Sequence, residues 1–122
     1  MPRLNVMGEI RAILESALGG VPVRVDVPAE PPGALVVVRR CGGARQDPLI
    51  DSPQVEVLMW APTETEAEGI AERVGDAMSH LPFARGFCAC EELEMRTDYD
   101  YVARSPRWYA LYRLKTYQPK EG

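Results

Sequence analysis

The sequence predicts an α+β domain with two helices packed on one face of a mostly antiparallel sheet, in the order α-β-β-β-α-β-β. Three observations lead there. Two segments, 4–18 and 62–81, repeat apolar residues every three or four positions, the spacing of one helix face. Five others alternate apolar and polar residues or run as β-branched and aromatic residues, as strands do. The strands come in runs separated by a helix, which indicates an α+β sandwich. At 122 residues the chain suits a single domain, 1–122, and one core of that size needs no staples.

In the first segment Leu4, Met7, Ile10, Leu14, Ala17 and Leu18 form the stripe, and Gly19-Gly20 stop the helix because glycine accepts the left-handed conformation. Val21–Val27 alternates with period two and reads as a half-buried strand, its start placed at an edge by Pro22. Ala34–Arg39 is continuously apolar and reads as a central strand covered on both faces. Arg40–Pro53, with Gly42, Gly43, Pro48 and Pro53, reads as a long β2–β3 loop at 40–53. Gln54–Trp60 resumes the alternation. Thr63 and Glu66 match a capping box, and Ala67, Ile70, Ala71, Val74, Ala77, Met78 and Leu81 follow on one face until Pro82. Phe87–Met95 and the aromatic Arg107–Tyr117 complete the sheet.

Composition excludes several functions. Net charge is −4, against the basic balance expected of a protein that neutralises duplex phosphates, although Arg39, Arg40 and Arg45 form a local basic strip. No run is long and apolar enough to span a bilayer. Glu9, Arg11 and Glu15 interrupt any secretory h-region, so folding in a cytosol is expected.

The residues with reactive side chains do not assemble into a known chemistry. Cys41, Cys88, Cys90 and His80 could in principle supply four zinc ligands, but Cys-x-Cys is not a zinc-knuckle spacing and free cysteine usually acts as a small hydrophobe. His80 is the sole histidine. Its neighbour Ser79 is not expected to serve as its nucleophile, since adjacent helical residues point apart. Gly42-Gly43 lacks the Lys-Ser/Thr pair and helix start of a phosphate loop. Glu91, Glu92, Glu94, Asp98 and Asp100 lack a calcium-loop pattern and read as a solvated acidic face. The expectation is a protein without catalytic residues, metal or cofactor.

Two features suggest protein contacts instead. In the last strand Trp108, Ala110, Tyr112 and Leu114 share one face and Tyr109 and Leu111 the other; neither face is plainly polar, so one either is covered within the domain or meets a neighbouring subunit. The 40–53 segment carries Leu49 and Ile50, which a solvated loop has no reason to display.

An ordered set of motifs resembles the tail terminator (tail-completion) proteins of long-tailed bacteriophages, particularly those of actinobacterial phages and prophages. It runs through Val25–Pro28, Val36–Gly43, Asp47, Asp51-Ser52-Pro53, Val55–Val57, Trp60-Ala61, Thr63–Glu68 and Arg107–Tyr109, nearly the whole chain. Cys41 departs from the Val or Thr expected, Trp108 replaces the commoner Tyr, and Glu91–Ser105 matches least. The resemblance implies an α+β protomer that assembles into a hexameric ring, caps the tail tube, ends its growth and joins it to the head-side connector, with DNA passing through the lumen unbound. It implies a place in the virion at the head-proximal end of the tail, after assembly in the host cytoplasm. Arg39, Arg40, Gly42, Gly43, Asp47, Leu49, Ile50, Asp51, Arg107 and Trp108 are then expected at inter-subunit or tail-tube contacts. The basic strip and the acidic 91–100 segment are expected to meet across a subunit boundary. The alternatives are a head-side stopper or connector subunit and, in another class, a small metal- or ligand-binding module.

Overall fold

The computed structural model describes residues 6–29, 33–45, 50–83 and 87–117. These form the predicted order: α1 (Val6–Leu18), β1 (Val23–Arg24), β2 (Leu35–Arg45), β3 (Ile50–Trp60), α2 (Glu64–Ser79), β4 (Phe87–Thr97) and β5 (Arg107–Tyr117), with a short 3-10 turn at Leu81–Phe83. The strands make one sheet, β1-β2-β3-β5-β4. β1 runs parallel to β2, and the other neighbours are antiparallel.

Both helices lie on one face. Ile10, Leu14 and Leu18 of α1 and Ala67, Ile70, Ala71, Val74 and Met78 of α2 share a buried cluster with Val36, Val38, Val55, Val57, Met59, Ala110, Tyr112 and Leu114 of the sheet. Each large side chain buried there contributes about 1.5–3 kcal/mol. α1 covers β1 and β2, and α2 covers β3, β5 and β4. The helix ends follow local chemistry. Gly19 and Gly20 adopt φ of 53° and 110° past α1. Thr63 is extended and its Oγ1 accepts the Glu66 N–H at 3.2 Å, which caps α2. α2 stops at Ser79, with His80 as its C-cap, so Pro82 falls in the 3-10 turn beyond the helix.

Among the described residues no helix covers the opposite face. Leu35, Val37, Leu58 and Trp60 form a second buried cluster there, with Tyr109 packed on it. β2 is therefore covered on both faces, as its apolar run requires. The cover is made by side chains: the Arg96 guanidinium lies 4.7 Å from the Tyr109 ring centre and that of Arg107 lies 5.4 Å from Trp60. On β5, Ala110, Tyr112 and Leu114 are buried within the domain, whereas Trp108, Tyr109 and Leu111 stay half-buried.

Three boundaries differ from the sequence reading. β1 pairs through Val23 and Arg24 alone, and Val25 and Val27 are 42% and 48% exposed; the alternation there does not mark a full strand. The expected loop at 40–53 is mostly paired sheet, with Gly42 opposite Gln54, Gly43 opposite Pro53, Ala44 opposite Ser52 and Arg45 opposite Asp51. A bulge at Cys41 absorbs the irregularity, and the β3–β5 ladder skips Ser52 and Pro53, where proline has no N–H to give. β4 has register shifts at Cys88 and at Leu93, so Phe87, Cys90, Glu92 and Met95 face the helices without simple alternation. Bulges on an edge strand twist it away from edge-to-edge pairing.

Truncating Leu14, which is fully buried between α1 and the sheet, is expected to cost about 2–5 kcal/mol in a urea titration.

Candidate functional site

The strand directions put the β2–β3 and β4–β5 connections at opposite ends of the sheet, separated by 11-residue strands of roughly 35 Å. The β4–β5 tip, residues 98–106, is built around one carboxylate. Oδ1 of Asp100 accepts the Val102 and Ala103 N–H groups, each at 3.0 Å. Oδ2 accepts Trp60 Nε1–H at 2.9 Å and lies 3.4 Å from Arg107 Nη1. Asp100 and Ser105 exchange both backbone hydrogen bonds. Arg107 also reaches Asp98, with Nη2 at 3.0 Å from Oδ2 and Nε donating to the carbonyl at 2.9 Å. Ser105 Oγ donates to the Ala61 carbonyl, which fastens the tip to the end of β3. The hydrogen bond from Trp60, then those from the backbone, and the Arg107 charge hold the Asp100 carboxyl below its usual range.

This anchored turn presents apolar side chains to water. Tyr101 is 83% exposed and Val102 96%, and Tyr99 meets Tyr101 edge-on at 4.9 Å between ring centres. Arg104 holds φ of 53°, a left-handed conformation unfavourable for a non-glycine residue, so the tip is shaped against local preference.

A second feature lies between α2 and the β4–β5 edge: an open groove of about 500 Å³. Its floor includes Ala71, Met95, Trp108 and Tyr112, and Glu68, Glu72 and Asp76 of α2 rim it. Inside, Tyr112 donates to Glu92 Oε1 at 3.0 Å. Burial, reinforced by Glu92, pushes the Tyr112 hydroxyl far up and the Cys90 thiol up to about 11. Both therefore stay protonated near neutral pH, and neither is an armed nucleophile.

The sequence-derived candidates scatter. Arg39 and Arg40 lie on β2, where Arg39 pairs with Glu56 and Arg40 Nε donates to the Gly42 carbonyl. Gly42 and Gly43 are hairpin positions, and Ile50 and Asp51 open β3. Asp47 and Leu49 lie outside the described residues. Arg107 is committed to Asp98, Asp100 and Trp60, and Trp108 lines the groove.

Within one protomer, members of the basic strip and of the acidic 91–100 segment have partners of their own. Arg39 has Glu56 beside it, and the backbone of Arg45 lies opposite that of Asp51. Most of the acidic segment is engaged too: Glu91 with Arg113, Glu94 with Arg96, Asp98 with Arg96 and Arg107, and Asp100 with Arg107. Glu91, Glu92 and Glu94 are exposed, as a solvated acidic face requires, while Asp98 and Asp100 are half-buried in the β4–β5 tip.

Ser79 and His80 are also closer than expected, with Oγ and Nδ1 3.3 Å apart, because His80 caps the helix and leaves its periodicity. Both side chains nevertheless address the Asp76 carbonyl, at 2.6 and 2.8 Å. A carbonyl only accepts, so Nδ1 carries its proton there and does not serve as a base toward Ser79. Cys41 on β2 and Cys90 on β4 are separated by β3 and β5. Among the described residues no cluster of three or more His, Cys, Asp or Glu converges as a metal site. Among them, too, no helix is long and apolar enough to cross a membrane.

The Asp100 anchor and the α2 groove were both missed in the sequence, though each left a signal. Asp100 precedes a turn whose N–H groups it accepts, a common use of aspartate. Glu68, Glu72 and Asp76 stand four apart, on one stripe.

No family model matches the chain, and no curated protein sequence does. Among solved structures, a chain from the virion of a native gene transfer agent (GTA) particle matches with a TM-score of 0.61, over 94% of this chain and 95% of that one. The two are 16% identical, a likeness that shows a shared fold.

Folding lowers the Asp100 carboxyl below its ordinary 3.8, so its stabilising effect is complete above that pH and fades as pH falls through the lower folded value. Asp100→Asn is expected to lose about 1–2 kcal/mol at neutral pH and to show a flatter acid limb in urea midpoints measured from pH 2 to 7.

Proposed function

We propose that this chain is a structural virion protein of a phage-like particle, and specifically a tail terminator. Its subunits would form a ring, hexameric as in the family it resembles, that caps the tail tube, ends its growth and joins it to the head-side connector. The observation that carries the reading is the fold shared with a chain of the gene transfer agent virion, which spans nearly all of both proteins. The ordered motifs described above give the narrower assignment its support.

The molecule's shape suits the role. A ring between tube and connector needs two different axial ends, and the sheet offers a glycine-rich hairpin at one end and an aromatic, carboxylate-anchored tip at the other. The acidic net charge suits a lumen through which DNA slides without sticking. The protein would carry no catalytic residues and no cofactor. Its partners would be copies of itself, the tail tube protein and the connector, and it would sit at the head-proximal end of the tail after assembly in the host cytoplasm. A stopper subunit on the head side would meet the same shape requirement, so position in the particle separates the two.

Tube subunits polymerised in vitro provide the test. Added protein is expected to halt elongation and to label one end of each tube in gold-labelled electron micrographs, with a native mass near six times the 13.6 kDa protomer. Tubes that lengthen unchecked, or label found on the head vertex alone, would overturn the assignment.

A further inference from the structure

We propose that the Asp100-anchored tip of one protomer seats in the α2 groove of the next copy, forming the lateral contact of the ring. This rests on the ring reading above and assigns the residues that make it.

The two surfaces are complementary in kind. The tip offers Tyr101 and Val102, both exposed, with Arg104 beside them. Arg104 is exposed and pairs with no carboxylate among the described residues. The groove offers an apolar floor of Ala71, Met95 and Trp108 beneath a rim of Glu68, Glu72 and Asp76. Its volume of about 500 Å³ falls in the range that accepts a few side chains.

Features of the groove point to an occupant. The three rim carboxylates are spaced four apart on α2 and have no cationic partner among the described residues. Like charges at that spacing destabilise a helix, and an incoming cation relieves them. Gly75, in the interior of α2, lines the groove between Glu72 and Asp76. A Cβ there would meet only Glu92 Oε1 and Met95 Cε, each at an ordinary 3.7 Å, so packing within the protomer does not require glycine. Glycine weakens a helix interior, and here it deepens the groove.

The occupant is a second copy for a geometric reason. Asp100 pins the tip to Trp60, which belongs to the helix-free face, whereas the groove opens beside α2. Tyr101 and Val102, at 83% and 96% exposed, do not fill their own protomer's groove. A tip in a neighbour's groove joins two unlike surfaces, which is the head-to-tail geometry that closes into rings. A rigid aromatic tip is also the kind of side-chain anchor that dominates protein interfaces.

Sedimentation velocity over a concentration series tests this with wild type, Tyr101→Ser/Val102→Ser, Arg104→Glu, Glu72→Lys, and the Arg104→Glu/Glu72→Lys double variant. All the changes are on exposed residues. Each of the three weakened forms is expected to self-associate about tenfold less tightly, and the double charge swap to recover most of that loss. Glu72→Lys should also raise the protomer's Tm, since the lysine would sit one turn from Glu68 and Asp76. A variant that folds more stably yet assembles less well separates a contact role from simple destabilisation. Wild-type oligomers that persist unchanged in every variant would overturn the tip-in-groove contact while leaving the ring intact. A double variant no tighter than its parents would overturn the Arg104–Glu72 pairing. A wild-type chain that stays a lone protomer throughout would overturn the ring reading and this contact with it.

Discussion

A sheet with helices on one face must hide its other face by different means, and that constraint shapes much of this molecule. Leu35, Val37, Leu58 and Trp60 lie on the side that neither helix covers, and no second helical layer reaches them among the described residues. Tyr109 packs on the cluster, and the planar guanidinium groups of Arg96 and Arg107 lie over the two aromatic rings. Arginine suits this position because its flat, weakly hydrated head stacks on an aromatic face while its edge keeps donating hydrogen bonds. Arg107 uses that edge on Asp98 and Asp100. The seal over the sheet and the anchor of the β4–β5 tip therefore share one side chain, so the tip inherits the rigidity of the core beneath it.

The helices and the central strands were legible because their signals are local. The spacing of Ile10, Leu14 and Leu18, the Thr63 cap and the run Leu35–Val38 each depend on residues within a few positions of one another. The strand misreadings have equally specific causes. Gly42, Gly43 and Pro53 carry strong loop signals, yet they pair in the hairpin, Gly42 opposite Gln54 and Gly43 opposite Pro53, with the Cys41 bulge absorbing the irregularity. The valines at 25 and 27 mimic a strand, but the sheet edge offers them no partner beyond Arg24. β4 hid its register because the bulges at Cys88 and Leu93 change which residues face the helices, and nothing in the local sequence announces them.

The charged residues were harder to read, and the reason is long-range pairing. Glu91, Glu94, Asp98 and Asp100 form an acidic run in the sequence, but Arg113, Arg96 and Arg107 come within ion-pair distance of them only when β4 and β5 align. Likewise Arg39 looks basic until Glu56 arrives from the neighbouring strand. Composition over a window cannot show such pairings. On α2 the helical repeat places Glu68, Glu72 and Asp76 together, and among the described residues no cation pairs with them.

These placements bear on how such a protomer would assemble. Binding loses affinity when flexible side chains and loops must be ordered at the moment of contact, at about 0.5–1.5 kcal/mol for each immobilised side chain. The tip avoids much of that loss, because Asp100, Trp60 and Arg107 fix its backbone before any partner arrives. Exposed apolar groups on a flexible loop would invite indiscriminate sticking. The same groups on a fixed turn can address one shape at one angle. In a ring of the proposed kind, angular precision would count for more than raw affinity, since a head-to-tail contact with a loose angle builds open filaments where a fixed one closes.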